Sequence, residues 1–366
     1  MAPKPAPVRG VAGVLPHVAR VVPQDPATAS PVVGMGEAGA RFVGAVPLDL
    51  PKRPIRAYAA LASAPTVEGR VELVMRELER TGAFDRRFLV IGAPTGGGHV
   101  NPVALELIER MAGGDVASVA IQFGTLPSVL SFGKVDDERG MLELLMRRIR
   151  DRIRSQHPHG GGPKVVLYGE SLGGWASQGA LEEAAAKAQR QSGRPVDPLR
   201  NLGVDTAVWI GIPGFSRFQR DQLGNGGMQV LHGIDALTKL DPAQRSTARA
   251  WELSHYDDPV HRADLATIWR RPDWLPADGN NPHGVDPSQR WKPLLTFFDT
   301  MKMVFTTANK ERAGVFTDHG HDYRKELPQL LRTALGFDGT VSDAQLARIT
   351  EQVRQSEVWI MQQKWQ

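Results

Sequence analysis

Along this chain, short unbroken apolar runs alternate with longer stretches in which apolar residues return every three or four positions. Unbroken runs of five to eight residues are the signature of strands buried on both faces, and the 3.6-residue return is that of an amphipathic helix. The runs at 55–61, 87–91, 116–123, 165–167, 206–212 and 248–254 therefore predict strands. Between them, residues 66–80 predict a helix with Val67, Val71, Val74, Met75 and Leu78 on one side. Further helices are predicted at 102–111 and at 136–154, the latter with Met141, Leu144, Leu145, Ile149 and Ile153 inward. An alanine-rich helix follows 171, and others are predicted at 291–305, after a loop at 318–323, and at 343–363. Strand-helix alternation implies an α/β fold, a mostly parallel sheet with helices on both faces.

Two stretches resist this reading. Residues 1–50 are rich in Pro, Ala, Gly and Val with little periodicity, which predicts an irregular N-terminal arm. Its valines suit an arm laid over the domain. Residues 216–246 are polar and broken by glycines and predict no element. No repeat and no linker divides the remainder, so residues 51–366 are expected to form one domain.

Composition narrows the function classes. With 41% hydrophobic residues in 366, the chain can bury a large core. Lys+Arg 44 against Asp+Glu 40 is too balanced to argue for nucleic acid, and Arg147, Arg148, Arg150, Arg152 and Arg154 read as a solvated helix face. The absence of cysteine excludes disulfides, thiol catalysis and thiolate metal sites. No run of 18 apolar residues spans a bilayer, and Met1 to Val22 lacks a compact apolar core after a basic start. The expected setting is cytoplasmic rather than secreted, with peripheral membrane contact left open along with the oligomeric state.

The chemistry concentrates in one place. The apolar run Val165-Val166-Leu167-Tyr168 leads into Gly169-Glu170-Ser171-Leu172-Gly173, and a helical pattern follows. Strand, sharp turn bearing a serine, helix is the layout of a nucleophile elbow. Side chains at Gly169 and Gly173 would collide with the neighbouring helix and strand, and the strained turn lifts the Ser171 hydroxyl clear of the sheet. A serine hydroxyl needs a base, and the base needs a third group to orient it. In elbow folds the chain order is serine, acid, histidine. Asp258, after an apolar strand and before Pro259, meets that order better than Asp257 beside it. The base is then His321 or His319, in Asp318-His319-Gly320-His321-Asp322-Tyr323. Gly320 before His321 permits close backbone approach and favours His321.

An oxyanion hole needs preorganised N–H donors. The backbone of Leu172 can supply one, and Thr95 or Gly96, in the glycine loop 94–98, the other. That loop lacks the Gly-x-x-x-x-Gly-Lys-Ser/Thr pattern and the dinucleotide spacing, which argues against nucleotide binding. His319 and His321 with Asp257, Asp258 or Asp322 form a rival metal site, which leaves the elbow unexplained. Trp269, Trp274, Trp291, Phe297 and Phe298 fall between acid and base, where they can wall an apolar pocket or simply fill core.

With these residues placed, the chain resembles the actinobacterial α/β-hydrolase family 9 type of domain over roughly residues 53–337. The resemblance rests on Ser63-Ala64-Pro65-Thr66, Glu77 to Asp85, Pro94-Thr95-Gly96, Gly113 to Ala117, Leu126-Pro127-Ser128 and Gly169 to Gly173. It continues through Asp258-Pro259-Val260, Arg271 to Leu275 and Gly320 to Tyr323. It implies a serine hydrolase with Ser171, Asp258 and a histidine of the His-Gly-His loop as its triad, and names no substrate. Family members often carry a membrane-embedded N-terminal region, which has no counterpart in this sequence, and Asp318 stands where the pattern would have glycine.

The expected function is hydrolysis of a small ester with an apolar acyl or alcohol group, through an acyl-enzyme and without metal or cofactor. Acyl transfer to an alcohol by the same triad is the nearest alternative, and a catalytically silent binder of lipid or another apolar ligand is the alternative from another class.

Overall fold

The structure is a computed structural model, and it describes residues 36–47, 49–124, 135–216, 218, 223, 226–307 and 312–365. Seven strands form one sheet: β1 Ile55–Ala59, β2 Phe88–Ala93, β3 Val116–Ile121, β4 Lys164–Glu170, β5 Thr206–Ile210, β6 Met228–His232 and β7 Ala250–Ser254. Their order is β1-β3-β2-β4-β5-β7-β6, and every pairing is parallel. All seven C-terminal ends therefore lie on one edge, where open α/β sheets bind ligands.

Strand alternation sorts the core into two layers. Leu89 and Ile91 of β2, Val165 and Leu167 of β4, and Ala207 and Trp209 of β5 face helices Val67–Arg80, Val135–Gln156 and Ser171–Ser192. Their neighbours Phe88, Val90, Val166, Tyr168, Val208 and Ile210 face helices Pro102–Met111, Leu327–Ala334 and Asp343–Gln362. Both faces being covered explains why these strands read as unbroken apolar runs. The register aligns Ala93 of β2 with Gly169 of β4, and Gly169 with Trp209 of β5, so the ends of the central strands are level.

Three expectations are corrected. Within the arm expected to be irregular, Gly36–Gly44 is a helix with Phe42 and Val43 buried against the sheet. Arg56 of β1 fixes it: its guanidinium forms two hydrogen bonds to the buried carboxylate of Glu109, at 2.7 and 2.8 Å, and a third to the Phe42 carbonyl at 2.9 Å. Residues 1–35 lie outside the described residues. In the stretch 216–246, for which the sequence predicts no element, Met228–His232 is a strand at the sheet edge. It is half-solvated, so it shows no buried run for the sequence to reveal. The helix expected from 291 begins at Leu295, because Pro293 and the positive φ of Leu294 (65°) break it there. Among the described residues no helix is long and apolar enough to cross a membrane.

Candidate active site

Ser171 is one of two non-glycine residues described with positive φ, at 51°. A serine held there is strained by roughly 1–3 kcal/mol, which the surrounding packing must impose. Its neighbours show how. A Cβ on Gly169 would stand 2.7 Å from the Cα of Gly174, and one on Gly173 would stand 2.3 Å from the Ala93 carbonyl oxygen. Only glycines let β4, the first turn of the Ser171 helix and the end of β2 come this close. The turn carries Ser171 into the wall of a cavity of about 1230 Å³ at the C-terminal edge of the sheet.

Asp258 lies four residues beyond β7 and is fully buried. Its carboxylate accepts hydrogen bonds from the Val260 amide (2.8 Å), the Tyr323 hydroxyl (2.6 Å) and His321 Nδ1 (2.8 Å). Burial alone would raise its pKa. The charge of His321 and the three donors outweigh burial and hold the carboxyl below its ordinary value. Burial, together with the neighbouring carboxylate, pushes the Tyr323 phenol far up, so it remains a donor. Nδ1 of His321 is bound to Asp258, so its other ring nitrogen is Nε2, and the ring lines the same cavity as Ser171. His319 is elsewhere. Its side chain is 67% exposed, and its Nδ1 lies 3.9 Å from Asp318. Asp257 packs against Gly284. Among the described residues no His, Asp and Glu side chains cluster as a metal site would require.

The glycine loop after β2 abuts the elbow through the Gly173 contacts with Ala93 and Pro94. Thr95 lines the cavity, but its N–H already donates to the His99 carbonyl at 2.9 Å. Among the described residues the N–H of Gly96 makes no backbone hydrogen bond, but of the two glycines after Thr95 it is Gly97 that lines the cavity and not Gly96. Leu172 lines the cavity, and its N–H belongs to the first helical turn, where no intrahelical acceptor exists. The cavity thus brings together a strained serine, a half-buried histidine bound to a fully buried aspartate, and the N–H of Leu172.

The aromatic residues between acid and base divide. Trp269 and Phe297 line the cavity with Phe215, Leu265, Met301 and Val304. Trp274 and Trp291 join Leu275 and Val285 in a small separate core, with the Arg262 guanidinium 4.5 Å from the Trp274 ring centre. Phe298 points outward.

The sequence reading missed a second layer. His255, at the end of β7, is buried, with Nδ1 2.9 Å from the Gly320 carbonyl and Nε2 bound to Glu326. The Gly320 carbonyl can only accept, so Nδ1 carries a proton, and the Glu326 carboxylate favours a proton on Nε2 as well. Burial would depress its pKa, but Glu326 and the Gly320 carbonyl overcome this and hold it raised. His255 also stacks on Tyr323, with ring centres 4.1 Å apart. It clamps the peptide before His321 and the ring that supports Asp258. Arg41, from the helix at Gly36–Gly44, lines the cavity, as does Glu170. The only sequence signal for His255 was its position at a strand end in this fold.

The chain belongs to the alpha/beta-hydrolase family, whose model matches residues 55–349. No curated protein sequence matches it. Among solved structures, an acetylxylan esterase is 16% identical, with a TM-score of 0.29 over 48% of this chain and 84% of its own. A cutinase-like protein from Cryptococcus sp. is 16% identical, with a TM-score of 0.27 over 49% of this chain and 80% of its own. Trichoderma reesei cutinase, in complex with a C11Y4 phosphonate inhibitor, is 11% identical, with a TM-score of 0.29 over 53% of this chain and 75% of its own. Likenesses this distant carry no argument about substrate.

Proposed function

We propose that this member of the alpha/beta-hydrolase family hydrolyses carboxylic esters through an acyl-enzyme on Ser171. The observation that carries the reading is His321, bound at 2.8 Å to the buried Asp258 and lining one cavity with a serine held at positive φ. His321 Nε2 takes the Ser171 proton as Oγ adds to the ester carbonyl. The oxyanion is held by the N–H of Leu172 and by a donor of the glycine loop after β2, the N–H of Gly96 or the Thr95 hydroxyl. The intermediate collapses, the C–O bond to the alcohol breaks, and the alkoxide leaves with the proton from His321. Water, deprotonated by His321, then adds to the acyl carbon; the bond from that carbon to Ser171 Oγ breaks, Oγ takes the proton back from His321, and the free acid leaves. Asp258 stabilises the imidazolium at each stage and keeps its own charge.

The cavity supports an apolar substrate. Its volume of about 1230 Å³ exceeds what an acetyl group needs, and Phe215, Leu265, Trp269, Phe297, Met301 and Val304 form its outer wall. A panel of p-nitrophenyl esters by chain length, run with and without a primary alcohol, tests this. Medium-chain esters are expected to exceed acetate in kcat/KM, with free acid as the main product. Preference for acetate would remove the apolar reading, and dominant transfer to the alcohol would make the enzyme an acyltransferase.

A further inference from the structure

Beside the nucleophile stands a carboxyl group that the reaction above does not use. Glu170 is the last residue of β4, and its side chain lines the cavity. In a strand, residues two apart share a face, so Glu170 continues the file of Val166 and Tyr168. That file explains its first bond: the Tyr168 hydroxyl donates to Glu170 Oε1. The second comes from Asn101 Nδ2, 2.8 Å from the same oxygen. The orientation of Asn101 is fixed independently. Its Oδ1 caps helix Pro102–Met111 by accepting the Val103 N–H at 2.9 Å, so its NH₂ must face Glu170. Glu170 therefore receives two donors, an arrangement that favours a carboxylate.

We propose that Glu170 is a positioning carboxylate for His321, a second negative group, besides Asp258, that raises the basicity of the imidazole. This rests on the assignment of His321 as the base. Tyr168 on its own strand and Asn101 at the helix cap bond Glu170, and His321, Arg41 and His99 line the same cavity, with Asp322 next to His321 in the chain. The His321 ring lies against Gly211, the residue after Ile210, which pairs with Glu170 across β4 and β5, so the imidazole sits over the strand end beside that of Glu170. Asp322 is already neutralised by Arg324, through two bonds of 2.8 Å. Loss of hydration raises the Glu170 pKa and leaves it above its ordinary value, with Tyr168, Asn101 and the charge of His321 pulling it only part of the way back. His321 feels Asp258, Tyr323 and Glu170. Two carboxylates beside one imidazole stabilise the imidazolium that forms when Ser171 loses its proton.

The isosteric change Glu170→Gln tests this. Its amide oxygen still accepts from Asn101 and Tyr168, so the change removes charge with little alteration of shape. Removing a negative neighbour lowers the His321 pKa. The acid limb of kcat/KM is expected to move down by about 0.5–1 pH unit, with kcat/KM near neutrality about 10-fold lower. NMR titration of the His321 ring in ¹³C-histidine-labelled protein reads the same shift without any substrate. It therefore separates failure of this inference from failure of the esterase reading. Glu170→Asp, which keeps the charge, should return the titration towards wild type. Tyr168→Phe, which removes one donor to the carboxylate, should move it in the same direction as Glu170→Gln but less, and it serves if Glu170→Gln does not fold. An unchanged His321 titration in Glu170→Gln, whatever its activity, would overturn the proposal and leave Glu170 as a pin between β4 and helix Pro102–Met111.

Discussion

The elbow at Gly169–Gly174 and the histidine loop at Asp318–Tyr323 supply the two halves of one proposed reaction, yet they are held in place by different means. The elbow is fixed by close approach. Backbone atoms of residues 93, 94, 169, 173 and 174 crowd so closely that Cβ atoms at Gly169 and Gly173 would overlap them. The histidine loop has no such crowding, and a Cβ on Gly320 would meet nothing within 4 Å. What holds the loop is polar and distant in sequence: His255 on the Gly320 carbonyl, Glu326 behind His255, and Asp258 and Tyr323 around His321. A site can thus have one half set by sterics, insensitive to pH, and another set by charge, which titrates.

The largest expected effect separates the two histidines of the loop. His321→Ala should lower kcat/KM by about 10³–10⁶-fold, as loss of a triad member does. His319→Ala should change it less than about threefold, because that ring is solvent-exposed beside Asp318. Steady-state kinetics on one medium-chain ester decides, and the reverse ranking would move the base to His319.

Next come the glycines, which probe the steric half directly. Gly173→Ala should cost about 1–3 kcal/mol or more, because its Cβ cannot avoid the Ala93 carbonyl. Gly320→Ala faces only the penalty of its φ of 62°, about 1 kcal/mol. Urea unfolding of both variants measures the difference, and equal losses would mean that the elbow is not sterically locked.

The smallest effect is the titration of the polar half. A folded-state pKa raised above the unfolded value contributes stability that is complete below the unfolded pKa, about 6.5 for histidine. That stability is lost as pH rises through the folded value. His255 is of this kind. The melting temperature of His255→Gln should fall furthest below wild type under about pH 6.5, and the gap should narrow at alkaline pH. A gap independent of pH would mean that His255 acts by packing alone.

The same contrast explains what the sequence disclosed. The elbow is local, since Gly169, Ser171 and Gly173 lie within five residues and follow an apolar run. Its strand, helix and strained serine were legible there. The central strands were legible because burial on both faces leaves unbroken apolar runs. The partners of the histidine loop lie far off, His255 65 residues from Gly320 and Asp258 63 residues from His321. Spacing alone therefore could not choose between His319 and His321. His255 looked like any histidine after a strand. Helix Gly36–Gly44 was hidden because glycine and alanine fill most of it, leaving Phe42 and Val43 to pack on the sheet. Edge strand Met228–His232 was hidden because one of its sides has no partner strand.

The central claim is that Ser171 is the nucleophile, and covalent labelling tests it most directly. Wild-type protein treated with an alkyl fluorophosphonate should gain the mass of one phosphonyl group, located on Ser171 by peptide mapping. Ser171→Ala, with its fold unchanged by circular dichroism, should gain none. An adduct at another residue, or labelling of Ser171→Ala at the wild-type rate, would contradict the account.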